Sequence, residues 1–523
     1  MIKDKRNRIL ISITIVFAIT LLTTLITNRF IEDKIETAIK DLPKSIKLDY
    51  ADVNFNIWTG NLELKFPQLT VLGKTTDKTI LNAKLNVIEI KDVSYYDYLV
   101  NNEVTIDEIV LDQLVVKYKH NPKVKNDQYS KGILDNLKQI IKVDKIVINN
   151  ADVLVLNSDT DSTLLSIPTF NFELKGLQIN PRASKIEKRI KYVDFNLNAE
   201  KVKYAINKFD GLFADSILIT NTNATFKDFK IKTKYNKIEY SKILKTERDH
   251  FNLKIKELKF QDTEYGLSPD KKVFFKSEKV KIISPEAEIY RDKLVADDTT
   301  YKPLYGTMLR DLSFELGLNS VEISNGKISY LEKVNSEKPA GQLGFKDIEA
   351  TIFNLGNINQ NEQTEIKVSS TFMENSALKV NWNFKVADIT DHFEFKADLG
   401  LFSADQLDQF TKANLNVDLN GELEQTYFTI SANKELSRVD LKMKYDDFEV
   451  AILKKNGKEK NRFLSNLINL IVSNNSEEQK NKFRYGQDKQ VERDVSKSVF
   501  NFVWLNVKQG LLTAMTGDGL QKE

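Results

Sequence analysis

A period of two runs through most of this chain. From about Lys44 to Val450, apolar residues alternate with Lys, Glu, Asp, Asn and Thr, as in Leu62, Leu64 and Phe66, in Phe170, Phe172 and Leu174, and in Val380, Trp382 and Phe384. A strand turns successive side chains to opposite faces, so the alternation predicts strands with one apolar and one solvated face. Only nine prolines and 19 glycines interrupt 523 residues, so the turns must be built largely from Asn, Asp and Lys. The expected fold is mainly β: a long, curled antiparallel sheet whose apolar side forms a groove.

A second pattern is laid over the first. Ile146, Ile148, Val153 and Val155 are spaced +0, +2, +7, +9. The same spacing holds for Phe55, Ile57, Leu62 and Leu64, for Ile109, Leu111, Val116 and Tyr118, and for Ile217, Ile219, Ala224 and Phe226. It holds again for Leu258, Phe260, Tyr265 and Leu267, and for Val321, Ile323, Ile328 and Tyr330. The parity flips between the two pairs, so a straight strand would place them on opposite faces. A β-bulge that adds a residue, or a hairpin turning at the centre, puts all four on one face. The centres include Asn150-Ala151, Asp262-Thr263 and Asn325-Gly326. The closest copies are KIVINNADVLVL from Lys145 and SVEISNGKISYL from Ser320, each followed by a polar loop and another alternating strand.

The ends differ from the body. Ile9 to Ile26 contains no charge, Pro or Gly. As a helix it would cover roughly 27 Å, close to a hydrocarbon core. Lys3, Lys5, Arg6 and Arg8 precede it, so the positive-inside bias leaves the N-terminus cytoplasmic and exports the rest. A cleaved signal peptide is the competing reading, but no A-x-A-like site follows. Ile31, Ile35, Ala38, Ile39 and Leu42 continue an amphipathic stripe up to Pro43. Short helical patterns recur at Ile133, Leu134, Leu137, Ile140 and Ile141, and again at Phe463, Leu464, Leu467, Ile468 and Ile471. After a charged stretch, Phe500, Val503, Trp504, Val507, Leu511 and Leu512 form a last stripe, suited either to a membrane interface or to capping the open end of the sheet. Three segments result: residues 1–43 as stub, anchor and helical extension, 44–450 as an extended β-groove body, and 451–523 as a helical C-terminus.

Recognisable reactive chemistry is missing. Cysteine is absent, which excludes disulfides and thiol chemistry. His120, His250 and His392 have no neighbour at metal-ligand spacing, and there is no G-x-S-x-G, Walker loop or G-x-G-x-x-G. Asp159 and Asp161 sit in a polar loop, where a solvated turn is the plain reading. Net charge is +3 with scattered basic residues, which argues against a nucleic-acid partner. No enzyme, cofactor or metal is expected. Helices are too few to cover the apolar face of so many strands. A long apolar groove calls for a ligand, and phospholipid is the natural one, because about 30 buried methylenes at about 0.8 kcal/mol each oppose its passage through water. The groove-lining candidates are the members of the repeated units: Phe55, Ile57, Leu62, Leu64, Ile109, Leu111, Val116, Ile146, Ile148, Val153, Val155, Ile217, Ile219, Val321, Ile323, Ile328 and Tyr330.

The order of parts resembles the AsmA-like family of inner-membrane-anchored periplasmic proteins, related to TamB and other bridge-like lipid-transfer proteins. Three stretches carry the resemblance. They are NIWTGNLELKFPQLTVLG from Asn56, the V/I-x-I-x-N-A/G units at Ile146 and Val321, and the C-terminal YDDFEVAILKKNGKEKNRFLSNLINLIV from Tyr445 with ERDVSKSVFNFVWLNVKQGL from Glu492. The resemblance implies a repeating β-groove in the periplasm, a single-pass inner-membrane anchor, and phospholipid movement or assembly support between inner and outer membranes, with an outer-membrane or envelope protein as a further partner. It brings no catalytic residues. A non-enzymatic anchored scaffold or outer-membrane assembly factor is the alternative.

Overall fold

The computed structural model describes residues 45–56, 59–73, 78–121, 123, 139–183, 189–270, 272–453, 476 and 483–516. The expected anchor from Ile9 to Ile26, the stripe that follows it, and the stripe from Phe463 to Ile471 lie outside these residues. Among the described residues the protein is mainly β, 63% strand and 12% helix, with 25 strands in large, mixed, unclosed sheet. No helix among them is long and apolar enough to cross a membrane. The chain divides into two compact units, 1–227 and 228–523, a division that falls inside the stretch read above as one body.

Unit 1 opens with eight short strands: β1 (Ile46–Asp49), β2 (Asp52–Asn56), β3 (Asn61–Lys65), β4 (Gln68–Leu72), β5 (Thr79–Lys84), β6 (Val87–Val93), β7 (Glu103–Asp112) and β8 (Val115–His120). Longer ones follow: β9 (Ile140–Asn157), β10 (Thr163–Ile179), the two-residue β11 (Ile190–Lys191), β12 (Asp194–Ala205) and β13 (Asp210–Thr220); the division between the units falls within β14 (Ala224–Thr233). The short strands are halves of long ones. β1 pairs with β4 and β2 with β3; β4 then pairs with β5, and β3 with β6. β7 and β8 both run alongside β9, on either side of Gln113.

A crease therefore crosses the strands. Phe66, Gln113, Asn150 and Lys201 mark it with positive φ between 48° and 53°. Hydrogen bonding bridges it, from Gln113 N–H to the Asn149 carbonyl (3.0 Å) and from Asp152 N–H to that of Leu114 (2.8 Å). A left-handed residue in a strand adds one position and reverses the face of everything after it. This decides the repeated spacing. Left-handed residues at Gln113, Asn150, Asp262 (φ 49°) and Asn325 (φ 52°) stand at the centres of four of the six units, with shifts in strand register beside Asn150 and Asn325. The Phe55 unit is the β2–β3 hairpin, and the Ile217 unit turns where Thr220 N–H meets the Asn223 carbonyl.

Unit 2 contains β15 (His250–Leu267), β16 (Val273–Asp292), β17 (Glu315–Lys333), β18 (Gly341–Gly356), β19 (Gln363–Phe372), β20 (Ser376–Lys385), β21 (Phe393–Leu399), β22 (Phe402–Ser403), β23 (Val417–Ala432), β24 (Leu436–Ile452) and β25 (Arg484–Glu492). Among the described residues four α-helices accompany them: α1 (Lys237–Ile243), α2 (Tyr305–Arg310), α3 (Asp408–Asn414) and α4 (Val499–Thr516). Strands β15 to β21 pair in sequence order, and β23, β24 and β25 continue the series.

Three expectations need correcting. The sheet is not antiparallel throughout: β7 and β8 run parallel to β9, and β16 to β17. Each follows a long connection that returns the chain to the starting end, as parallel pairing requires. Ile140 and Ile141 do not belong to a helix but open β9, where backbone pairing with β7 and β10 outweighs their helical spacing. The C-terminal segment is not wholly helical, because its charged stretch includes strand β25 paired to β24.

α4 covers the apolar face of the sheet. Val499, Phe502, Ala514 and Met515 are buried on it, in two clusters with Phe395, Ile430, Val439, Leu441 and Met443. The approach is close: a Cβ at Gly486 of β25 would collide with the Gly510 carbonyl of α4. α2 is fixed by Arg310, whose guanidinium donates to the Val386 and Asp388 carbonyls and to the buried Asp391 (2.6 Å). Just ahead of α4, Lys497 Nζ lies 3.2 Å from Glu247, whose other oxygen is 2.6 Å from Lys293. The Glu247 side chain is 3% exposed. Burial pushes its carboxyl up, but the two ammonium groups outweigh burial and hold it below the usual carboxylate range.

Two predictions follow from these contacts. Asn325→Val places a β-branched residue at positive φ and is expected to cost about 1–3 kcal/mol, whereas Asn325→Gly is expected to cost under about 1 kcal/mol; denaturant melts separate them. Glu247→Gln leaves Lys293 without its carboxylate and Lys497 with Asp297 alone, and is expected to lose about 2–3 kcal/mol at neutral pH. Because the folded carboxyl is depressed, this stabilisation is present above the unfolded value and fades as pH falls through the carboxylate range. The wild-type minus variant difference should therefore shrink from pH 7 towards pH 3 in parallel thermal melts.

Candidate functional site

Register turns the alternation into continuous rows. In unit 1 one row crosses eight strands: Val53, Leu64, Ile88, Leu111, Ile148, Phe172, Leu197 and Ile219 stand directly opposite one another in turn. A second joins Phe55, Leu62, Ile90, Ile109, Ile146, Leu174 and Phe195. Beyond the crease, Val116 lies opposite Val153, and Tyr118 opposite Val155. The sequence candidates of unit 1 are thus gathered on common rows, with Ile217 one step aside opposite Ala199. Ile57 lies outside the described residues.

Most of these side chains are closed off from solvent. Leu62, Leu64, Ile109, Leu111, Val116, Ile146, Ile148 and Val155 are buried, Ile146 to 2% exposure and Ile148 to 3%. Phe55, Val153, Ile217 and Ile219 are half-buried. The greater part of this set is packed core.

Unit 2 is more open. One row runs Leu258, Ile282, Ile323, Ala350, Val368, Val380, Ala397, Phe428 and Leu441, ending at Gly486. The row beside it runs Phe260, Val280, Val321, Ile352, Ile366, Trp382, Phe395, Ile430 and Val439. At β20 to β24 these rows are covered by α2 and α4. Over β15 to β19 they are only half-covered: Leu258, Phe260, Ile282, Ile323, Ile352, Ile366 and Val368 all keep solvent access. Of the sequence candidates, Val321 is buried, Ile323 and Tyr330 are half-buried and Ile328 is exposed. On α4, Phe500 (62% exposed) and Trp504 (45%) lie outside the buried side, with the Phe500 ring edge-on to Trp382 at 6.2 Å between ring centres, and Leu511 packs beside the core.

Unit 2 bears a trough of about 920 Å³ that follows the first of these rows from β16 to β21 and β23. Its lining takes Ile323, Ala350, Val368, Val380, Ala397 and Phe428 of that row together with the residues on either side of each. The flanking residues are in register too. One polar row is Lys281, Glu322, Thr351, Lys367, Asn381, Lys396 and Thr429. The next contains Glu349, Ser369, Lys379, Asp398 and Tyr427. Nothing in the sequence singled these residues out. They belong to the solvated phase of ordinary alternation, and only strand register brings them together.

The polar residues noted in the sequence have local partners. Asp159 and Asp161 pair with Lys123 (3.1 Å) and Lys119 (2.7 Å), and both carboxyls are held below the usual range by those lysines. His250 Nε2 is 2.8 Å from the Tyr235 carbonyl, with its ring edge-on to Tyr240. Among the described residues no group of three His, Asp or Glu is placed to hold a metal.

No protein-family model matches this chain, and no curated protein is significantly similar to it.

The contrast between the units is testable. Ile148→Asp puts a carboxylate into closed core and is expected to cost more than about 3 kcal/mol, whereas Ile282→Asp on the half-open row is expected to cost under about 2 kcal/mol. Urea melts of the two variants measure the gap.

Proposed function

We propose that this is a lipid-handling protein of the cell envelope, holding acyl chains against the apolar face of β15 to β19. The half-covered rows there carry the reading. They are unbroken from strand to strand, and the five strands β15 to β19 span about 19 Å at roughly 4.8 Å per step. One acyl chain, half of a hydrocarbon core about 30 Å thick, fits within that length. Burying it at about 0.8 kcal/mol per methylene requires apolar side chains facing one way and no reactive group. The resemblance of the chain to the AsmA-like family points the same way. It adds an inner-membrane anchor, a periplasmic body and phospholipid as the cargo.

An anchored scaffold or outer-membrane assembly factor is the second reading, favoured by the closed interior of unit 1 and by the exposed Phe500 and Trp504 of α4. The two part in one experiment. Full-length protein in membranes containing a phospholipid with a photoreactive acyl chain is irradiated, digested and mapped. Labelling concentrated in β15 to β19, and reduced several-fold by Ile323→Asp with Ile366→Asp while the melt stays cooperative, is the expected outcome. A folded protein labelled only at its N-terminus would leave the scaffold.

A further inference from the structure

The outer side of α4 is an apolar stripe left largely exposed by the described residues. Phe500, Trp504 and Leu512 are 62%, 45% and 46% exposed, and together with Lys508 they follow one another at four-residue steps along one ridge of the helix. From Phe500 to Leu512 the ridge runs about 18 Å at roughly 1.5 Å per residue. It continues ahead of the helix, where the Lys302 N–H donates to the Val495 carbonyl at 2.8 Å and sets Tyr301 (54% exposed) near Val495 (42%). We propose that this stripe docks on the surface of a bilayer containing anionic phospholipid.

The stripe is not a spare core face. The other side of α4 is fixed on the sheet: the buried Asn506 accepts from the Ser437 hydroxyl at 2.8 Å, and Gly486 and Gly510 bring the two backbones together. The helix cannot roll Phe500 or Trp504 inward without breaking those contacts. Apolar residues exposed side by side mark a site for a protein or a membrane.

Composition separates the two. From Ser498 to Thr516 the chain holds no acid, and Lys508 is its one charge. Asp494, ahead of the helix, accepts from the Ser496 N–H at 2.9 Å and from its hydroxyl at 2.6 Å. A protein interface carries a polar rim of paired groups. Trp and Tyr beside Phe and Leu, with a lysine whose long stem lifts its ammonium to the headgroups, are instead the side chains of a membrane–water boundary. A lysine without a carboxylate beside it on the helix complements an anionic surface. Docking would also set the half-open rows of β15 to β19, which lie on the face that α4 covers, against the bilayer from which an acyl chain must come.

The test is fluorescence quenching of full-length protein reconstituted in vesicles whose phospholipids carry brominated acyl chains. The Trp504 signal is the difference between wild type and Trp504→Phe, which keeps a ring in the stripe. That signal should be quenched several-fold in brominated phosphatidylcholine with phosphatidylglycerol, and less in brominated phosphatidylcholine alone. Phe500→Ser with Leu512→Ser should abolish the quenching. Lys508→Glu, at an exposed polar position, gives a second reading should that pair disturb folding: it should weaken quenching in the anionic vesicles and leave it unchanged in the neutral ones. Ile238→Ser with Ile243→Ser, exposed apolar residues of α1, should change nothing. A Trp504 signal unquenched in both vesicles overturns the proposal, as does an equal effect of the α1 pair. Quenching already complete in detergent with a stoichiometric amount of brominated lipid would overturn it in favour of bound cargo. A signal that shifts with protein concentration in lipid-free detergent would overturn it in favour of a second copy of the chain. The readout does not involve β15 to β19, so this proposal and the lipid reading fail separately.

Discussion

The structure depends on keeping one phase of the alternation on one side of long strands. Strands of 16 to 20 residues such as β9, β16, β17 and β18 twist too strongly to stay flat against a common core. The crease answers this. One residue in each of several adjacent strands adopts positive φ, and parity is reset at the same level across them. Most of these residues are Asn or Asp, whose short polar side chains tolerate the left-handed region. Without the reset, the apolar half of each strand beyond the crease would face water.

Once parity is kept, register does the rest. Apolar residues opposite one another become rows, and rows become a surface wider than the available helices can cover. The two units treat it differently. Unit 1 packs most of its rows away. Unit 2 covers the rows at β20 to β24 with α2 and α4 and leaves those at β15 to β19 half-open. The ion pairs around Glu247 and Arg310 lie where those helices attach, so the covered part of the face is secured by buried charge as well as by apolar contact.

Opposed faces allow opposed chemistries. The apolar rows and the polar rows share the same strands, and the residues of one alternate with those of the other. A substitution that moves a strand by one residue would exchange them, so register decides which face is apolar.

Strand content, the one-sided apolar pattern and the parity flip were all legible in the sequence. Each is local: period two follows from backbone geometry, and the flip at Asn150 or Asn325 shows as a spacing within a dozen residues. The C-terminal helix was legible too, but its face was not. Phe500 and Trp504 read as part of a stripe for a membrane interface or for capping the sheet, whereas the side buried on the sheet is that of Val499, Phe502, Asn506 and Gly510, because small residues admit the close approach to β25. Which rows are closed and which are open, the parallel joins at β9 and β17, and the assembly of Lys367, Asn381 and Lys396 into one trough were decided only by tertiary structure. They depend on which strand lies beside which, and alternation specifies the face of a residue without naming its neighbour.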